Sequence, residues 1–201
     1  MPKKIDHELR KIKILQTALD VFAKEGYKDS NLSLIAQECG ISRPTIYQYF
    51  KDKDEIYYYA VKLVTGKMFE KYVDFAWNSD ENVLDRVIAI CSDIIDTGVE
   101  HIGELTSLVD VMFMMRKEGT DFNAVILKRT AKLNILFKRL LRLGIDRGDI
   151  KEGTSIEKVT EHISLLLESF CIELAFLELK DATKNKDLIS TYLNFFKAKT
   201  N

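Results

Sequence analysis

The stretch ISRPTIYQYF, residues 41–50, carries hydrogen-bonding and aromatic side chains where a surface helix ordinarily carries Lys and Glu. Arg43 is the residue type that pairs bidentately with guanine, and Gln48 is the type that pairs with adenine in the same way. The methyl group of Thr45 suits contact with a thymine methyl. The stretch therefore has the composition of a helix that reads base edges in the major groove of DNA.

Two short helices joined by a tight turn are expected around this stretch. In DSNLSLIAQECG, Asn31 is a good N-cap, and Gly40 stands where a glycine ends a helix after about two turns. Ser42 is the N-cap of the second helix, and Pro44 lies in its first turn, where the missing N–H costs nothing. This pair has the pattern of a helix-turn-helix.

A helix before this pair and a helix after it complete a compact unit. Asp52 and Glu55 have capping-box spacing and start a long helix that runs to about Trp77. Ile46 and Phe50, four residues apart, are the apolar anchors that hold the second short helix on this scaffold. Apolar residues at spacings of three and four place one stripe on the first helix: Ile5, Leu9, Ile12, Leu15, Leu19 and Phe22.

The rest of the chain also predicts helices only. Further segments are drawn at about 81–101, 104–117, 121–147, 155–180 and 185–198, and no stretch alternates as a half-buried strand does. Thr154 and Glu157 form a second capping-box pattern. The fold class is therefore all-α. We expect a three-helix helix-turn-helix domain over residues 1–53, joined to a larger helical bundle for ligand binding and dimerisation over 54–201.

Charge is distributed unevenly along the 201 residues, although the net charge is −1. Residues 1–53 contain 10 Lys and Arg against 7 Asp and Glu, whereas residues 54–201 contain 20 against 24. A small basic end on an acidic body suits contact with phosphate at one end only. No apolar run is long enough to span a bilayer, and the N-terminus has no apolar signal segment, so we expect a cytoplasmic protein without a membrane partner.

Residues 9–60 resemble the DNA-binding domain of the TetR (tetracycline repressor) family. The resemblance is carried by FAKEGY, IAQECGIS and PTIYQYFKDKDEI, in which a threonine and an aliphatic residue precede Tyr47, Phe50 and Lys53. It implies base contacts from Arg43, Pro44, Thr45 and Gln48, phosphate contacts from Tyr47, Tyr49 and Lys53, and a further DNA contact from Ser33. Many members of the family have a small residue where Pro44 stands, so the approach to DNA differs in detail.

Two groups of basic residues have more than one interpretation. A cation in the first turn of a helix opposes the helix dipole, so Lys53 is unfavourable there unless an anion lies nearby. The alternative is a solvated charge balanced by Asp54. The basic residues near the N-terminus reach phosphate or an adjacent groove, or they only keep the chain solvated: Lys3, Lys4, Arg10, Lys11 and Lys13.

The segment from Ile156 to Leu179 carries apolar residues on more than one face, so such a helix must be covered on two sides. One side is its own domain and the other is a second copy of the chain, as the resemblance implies for the last two long helices. One stripe is Ile156, Val159, Ile163, Leu166, Phe170, Leu174 and Leu177, and the apolar residues that lie away from it are Leu165, Ile172, Phe176 and Leu179. Leu188, Tyr192, Phe195 and Phe196 suit the partner helix.

The larger domain also has candidates for a ligand pocket. Met side chains are flexible and polarizable, and together with aromatic rings they suit adaptable apolar walls, although such clusters more often form plain core. The candidates are Met112, Phe113, Met115, Phe137 and Phe170. His162, Ser169 and Glu173 share a helical face that enters this pocket or joins the dimer contact. An apolar small-molecule effector with one polar end is the expected ligand.

Catalytic and metal-binding chemistry has little support in the sequence. The three cysteines are far apart, and His101 and His162 are isolated from other ligand types, so we expect no metal, cofactor or disulfide. No phosphate-binding loop, dinucleotide fingerprint or nucleophile elbow is present, so we expect no enzyme.

We expect a homodimeric regulator that binds a palindromic operator in double-stranded DNA, most simply a repressor released by its effector. The alternative is a helical small-molecule-binding or carrier protein whose first three helices only pack together.

Overall fold

The computed structural model describes residues 7–103, 105–106, 109, 123–177 and 181–198, with only the backbone described at 64–65 and 123–129. The long and short helices among them are α1 His7–Glu25, α2 Leu32–Glu38, α3 Arg43–Tyr47, α4 Lys53–Asn78, α5 Val83–Glu100, α6 Asn123–Arg147, α7 Ile156–Leu177 and α8 Thr183–Asn194. Most of the segment predicted at 104–117 lies outside the described residues. The all-α fold class is confirmed.

Three helix starts follow the caps that the sequence predicts. The Asn31 side chain accepts from Leu34 N at 3.0 Å, and Ser42 Oγ accepts from Thr45 N at 3.3 Å. Asp52 Oδ1 accepts from Glu55 N at 2.8 Å, and the Glu55 carboxylate in turn accepts from Lys51 N rather than from the cap residue. These bonds satisfy orphan donors at the helix starts and fix where α2, α3 and α4 begin.

The N-terminal apolar cluster is built by α1, α2, α3 and the first half of α4. Ile46 and Phe50 are only 0% and 1% exposed, so both act as anchors of α3 as the sequence indicates. The stripe expected on α1 is partly wrong, because Leu9 is 65% exposed, whereas Ile14 and Ala18 are buried. Leu15, Leu19 and Phe22 of the predicted stripe are buried, so the buried face of α1 begins later than the spacing suggests and shifts partly toward Ile14 and Ala18.

The second apolar cluster lies between the end of α4 and helices α5, α6, α7 and α8. Arg86 of α5 is only 2% exposed. Its guanidinium group donates to Ala76 O at 3.0 Å and to Glu81 O at 2.8 Å. These carbonyls belong to the last turn of α4 and to the link that follows. Arg86 thereby caps α4 and joins it to α5.

The C-terminal end differs from the sequence prediction. Helix α8 stops at Asn194 rather than near 198, because the following residues pair with the loop before α7. Ile150 and Lys197 form an antiparallel bridge, and Lys151 N donates to Phe196 O at 2.9 Å. The start of α7 differs as well: Thr154 Oγ1 donates to Lys151 O, while Ser155 Oγ is the acceptor for Lys158 N.

Helix α4 contributes to both clusters. Ile56, Tyr57 and Ala60 are buried in the N-terminal cluster, whereas Tyr72 and Ala76 are buried in the second. The division of the chain at residues 53 and 54 stays a prediction. Within the described residues, no helix combines the length and the apolar character that a bilayer span requires.

Candidate nucleic-acid interface

Helix α3 presents polar side chains outward from a buried anchor. Ile46 faces the N-terminal cluster, while Arg43, Pro44 and Gln48 are exposed and Tyr47 is 49% exposed. The Arg43 guanidinium lies 6.0 Å from the centre of the Tyr47 ring. A short helix with this polar outer side has the dimensions and the donors to enter a major groove.

Thr45 is less exposed to solvent than Arg43, Pro44, Tyr47 and Gln48. It is half-buried, and its hydroxyl lies 2.8 Å from Ser42 Oγ within the N-cap of α3. That hydroxyl group is therefore part of the cap, which leaves its methyl group for a contact with thymine.

The candidate base-reading residue Arg43 also borders a cleft of about 530 Å³ at the start of α2. Its walls bring together Ser33, Arg43, Tyr47 and Lys53, four of the residues expected to contact DNA. The remaining lining comes from Ser30, Asn31 and Leu32. Residues that are up to 23 positions apart in the chain thus share one concave surface.

Lys53 has partners that neither interpretation of its charge anticipated. Its Nζ donates to Tyr27 O at 2.6 Å, to Ser30 O at 3.0 Å and, at a longer 3.4 Å, to Lys28 O. The ammonium also lies 4.2 Å from the centre of the Tyr27 ring. The negative partners of this cation are therefore backbone carbonyl oxygens and the face of an aromatic ring.

Sequence reasoning overlooked Tyr27, which is 4% exposed. Its hydroxyl donates to Asp54 Oδ1, and burial together with that carboxylate raises the pKa of Tyr27 well above the ordinary value. The phenol therefore stays protonated and remains a donor. An aromatic residue directly after the glycine that ends α1 was the available signal, since Gly26 has a φ of +79°.

Tyr49, the third tyrosine of this region, does not line the cleft. Its hydroxyl lies 3.0 Å from His7 Nδ1, so it connects the end of α3 to the start of α1. Lys11 of the basic N-terminal group lies 4.7 Å from the centre of the Tyr59 ring and 5.7 Å from that of Phe50. Lys3 and Lys4 lie outside the described residues.

The candidates for the ligand pocket are only partly described. Met112, Phe113 and Met115 lie outside the described residues. Phe137 and Phe170 are 0% and 1% exposed in the second cluster. A Cβ placed on Gly98 would lie 3.0 Å from Phe170 Cε1, so this glycine lets the ring pack against α5. Sequence reasoning did not single out Gly98.

An exposed apolar surface covers the outer side of α7 and α8. Its members are 46% to 71% exposed: Leu165, Ile172, Phe176, Leu188 and Phe195. Leu177 belongs by its spacing to the stripe with buried Phe170 and Leu174, but as the last residue of α7 it is 63% exposed. Several exposed large apolar side chains on two neighbouring helices are typical of a surface that binds another molecule.

The polar residues of α7 lie on the same outer side. His162 is exposed, and its Nδ1 lies 2.7 Å from Tyr192 Oη of α8. Ser169 is exposed, and the half-buried Glu173 accepts a long 3.5 Å bond from Asn185. Two of the three residues thus contact α8, and none lies in the buried core.

The three cysteines are free thiols that are fully or partly buried. Cys39 and Cys91 are buried, and Cys171 is half-buried. Burial raises the pKa of Cys171 to about 11, with a smaller contribution from Glu168. Thiols of this kind are protonated and unreactive near neutral pH.

Comparison with known proteins finds similarity over the N-terminal helices. Residues 14–59 match the family model described as bacterial regulatory proteins, tetR family. The HTH-type transcriptional regulator PksA of Bacillus subtilis is 32% identical over 105 residues, which cover 52% of this chain and 51% of that relative. The chain thus matches about half the length of this relative.

Two further comparisons extend over more of the chain. The fatty acid metabolism regulator protein of B. subtilis is 26% identical over 159 residues, or 76% of each chain. The crystal structure of the transcriptional regulator FadR from B. subtilis in complex with stearoyl-CoA superposes with a TM-score of 0.73. It is 20% identical and covers 90% of this chain and 96% of that one, so it supports the fold of both halves.

Proposed function

We propose, on the premise that this chain belongs to the TetR family of bacterial regulatory proteins, that it is a transcriptional regulator that binds DNA sequence-specifically. The observation that carries the proposal is the outward face of α3, where Arg43 and Gln48 stand beside Tyr47 on a helix anchored by Ile46. The proposed DNA contacts are Ser33, Arg43, Pro44, Thr45, Tyr47, Gln48 and Tyr49. Lys53 was expected to join them and borders the same cleft, but its ammonium group already has carbonyl oxygens as partners.

We propose that the protein acts as a homodimer on a palindromic operator. The support is the exposed apolar surface of α7 and α8, which a second copy would cover around a two-fold axis. Two recognition helices related in this way read half-sites about 34–36 Å apart, or a multiple of that distance. We propose a cytoplasmic location, since a regulator of this kind must reach DNA.

The operator and a small-molecule effector would be negatively coupled. An effector that prefers a form with misplaced recognition helices lowers the affinity for the operator by the same factor as the operator lowers the affinity for the effector. A coupling of about 1–3 kcal/mol changes the operator affinity about 5- to 150-fold. Repression relieved by the effector is the simplest outcome.

The effector we propose is a molecule with a long apolar body and one polar end, such as a fatty acyl thioester. Two observations support this class: the apolar second cluster with Phe137 and Phe170, and the fatty-acid-related names of two of the proteins compared. Met112, Phe113 and Met115 remain the other proposed lining residues.

Selection of DNA from a random pool by the purified protein tests the DNA-binding function. We expect an enriched palindromic sequence whose affinity exceeds that of unrelated duplex by about 10³-fold or more. Enrichment of no sequence would contradict the proposal and favour a carrier protein.

Titration of the protein–operator complex with stearoyl-CoA, with free coenzyme A as the control, tests the effector class. We expect release of DNA by the acyl thioester alone. Equal effects of the two compounds, or none from either, would exclude a long acyl chain as the recognised group.

A further inference from the structure

The partners of Lys53 tie together the two chain segments that flank the helix-turn-helix. Helices α2 and α3 lie between the loop at residues 27–30 and the first turn of α4. Lys53 and Asp54 extend from α4 to that loop and to the Tyr27 side chain. We name these contacts the Tyr27–Lys53 clamp: Tyr27, Lys53, Asp54 and the carbonyl oxygens of residues 27, 28 and 30.

The clamp uses the hydrogen-bonding capacity of the ammonium group. A lysine ammonium has three donors, and three carbonyl oxygens lie between 2.6 and 3.4 Å from Lys53 Nζ. The Tyr27 ring covers a further side of the ammonium at 4.2 Å. A phosphate oxygen would therefore have to displace one of these partners before it could bind.

The loop that the clamp holds determines where α2 begins. Ser30 Oγ donates to Tyr27 O at 2.7 Å, and the next residue, Asn31, is the N-cap of α2. Helices α2 and α3 are in contact, and Ile35 of α2 and Ile46 of α3 are both buried in the N-terminal cluster. A displacement of the loop would therefore move α2 and, with it, the helix that carries Arg43.

We propose that Lys53 and Tyr27 are positioning residues, which fix α2 and α3 for DNA reading through the clamp, and that Lys53 does not act through a phosphate bond. The proposal rests on the proposed function, since it concerns how that DNA-binding surface is held. It also separates Lys53 from the other residues of the cleft, Ser33 and Tyr47, which have no comparable role in the loop.

Salt dependence separates the two roles of Lys53. A lost phosphate contact lowers the slope of log affinity against log salt by about 0.9 for each contact and weakens binding to every sequence. A lost positioning contact does not change the number of phosphate contacts, so the salt slope stays the same. It lowers the affinity for the specific duplex only. Tyr27 provides an independent check because its 4% exposure keeps it from touching DNA.

The experiment measures the affinity of the full chain for its selected duplex and for unrelated duplex over a range of salt concentrations. The variants are Lys53→Met, Tyr27→Leu and the double variant, and Lys24→Met is the control for loss of one exposed positive charge. Each variant is first checked for cooperative thermal unfolding. If Tyr27→Leu does not fold, Tyr27→Phe takes its place, since it keeps the ring and removes only the bond to Asp54.

We expect Lys53→Met and Tyr27→Leu each to lower specific affinity by about 10-fold or more, with salt slope and non-specific affinity as in the wild type. The double variant should bind the specific duplex no more weakly than the single variant with the larger loss, because both substitutions break the same clamp. For Tyr27→Phe we expect about a 3-fold loss of specific affinity.

The inference is overturned if Lys53→Met lowers the salt slope and both affinities together, or if the Tyr27 variant binds as the wild type does. Fully additive losses in the double variant would also overturn it. Failure of the wild-type protein to select any sequence would instead count against the proposed function, so the two failures are distinguishable.

Discussion

Replacing Arg43 with alanine should remove sequence preference at one base pair in each half-site. The Arg43 side chain is exposed, and its guanidinium lies 6.0 Å from the centre of the Tyr47 ring. An exposed cation–π contact contributes about 0.5–1 kcal/mol, and alanine is a good helix former, so the fold should lose less than about 1 kcal/mol. The effect on DNA binding is thereby separated from an effect on stability.

The loss in DNA binding is expected to be much larger. A bidentate arginine–guanine pair contributes about 1–3 kcal/mol of discrimination against a wrong base. A two-fold dimer has two such pairs, which lie far enough apart to be additive, so the complex loses about 2–6 kcal/mol. At about 1.4 kcal/mol for each tenfold change, specific affinity should fall by about 30-fold to about 10⁴-fold.

Fluorescence anisotropy with the selected duplex and with duplexes changed at one base pair is the appropriate assay. We expect Arg43→Ala to bind all four base pairs at one position equally, whereas the wild type prefers one. Arg147→Ala, which removes an exposed arginine at the end of α6, should bind and discriminate as the wild type does. An unchanged base preference in Arg43→Ala would refute the assignment of α3 as the reading helix.

Three further predictions concern other parts of the molecule. Ile172→Asp should give a monomer in sedimentation at micromolar concentration, because a dimer would bury the new carboxylate, and a dimer of wild-type stability would contradict the placement of the interface on α7. Asp52→Ala should lower the free energy of unfolding by about 0.5–2 kcal/mol in urea titration, since Glu55 N loses its cap acceptor, and an unchanged midpoint would contradict the capping role. Alkylation of Cys171, followed by mass spectrometry, should speed up about tenfold per pH unit from pH 8 to pH 10, because a pKa raised to about 11 leaves little thiolate below it, and a plateau by pH 9 would contradict that pKa.

Local features of the fold were predictable because their causes lie within a few residues. Asn31, Ser42 and Asp52 each cap a helix by accepting from the backbone N–H three residues ahead, so the sequence alone indicates these starts. Ile46 and Phe50 could be identified as anchors by their spacing, and their burial confirms it.

Features that depend on distant partners were not predictable. The carbonyl oxygens that bind Lys53 lie 23 to 26 residues earlier in the chain, and no spacing rule encodes them. Likewise, α8 ends early because residue 197 pairs with residue 150, which the helical pattern does not reveal. The shift of the buried face on α1 has the same origin, since packing on neighbouring helices decides which side of an amphipathic segment is covered.

Among the side chains that the structure describes, the two apolar clusters have α4 in common but no buried residue, since the first ends at Val61 and the second begins at Tyr72. Substitutions in one cluster should therefore change stability independently of substitutions in the other. All B-form duplexes offer a similar backbone and a similar major-groove width, whereas effectors differ widely in size and shape. A lineage of such proteins is thus free to diversify the second cluster toward new molecules while it inherits the first nearly intact, with α4 as the element through which the two clusters stay coupled.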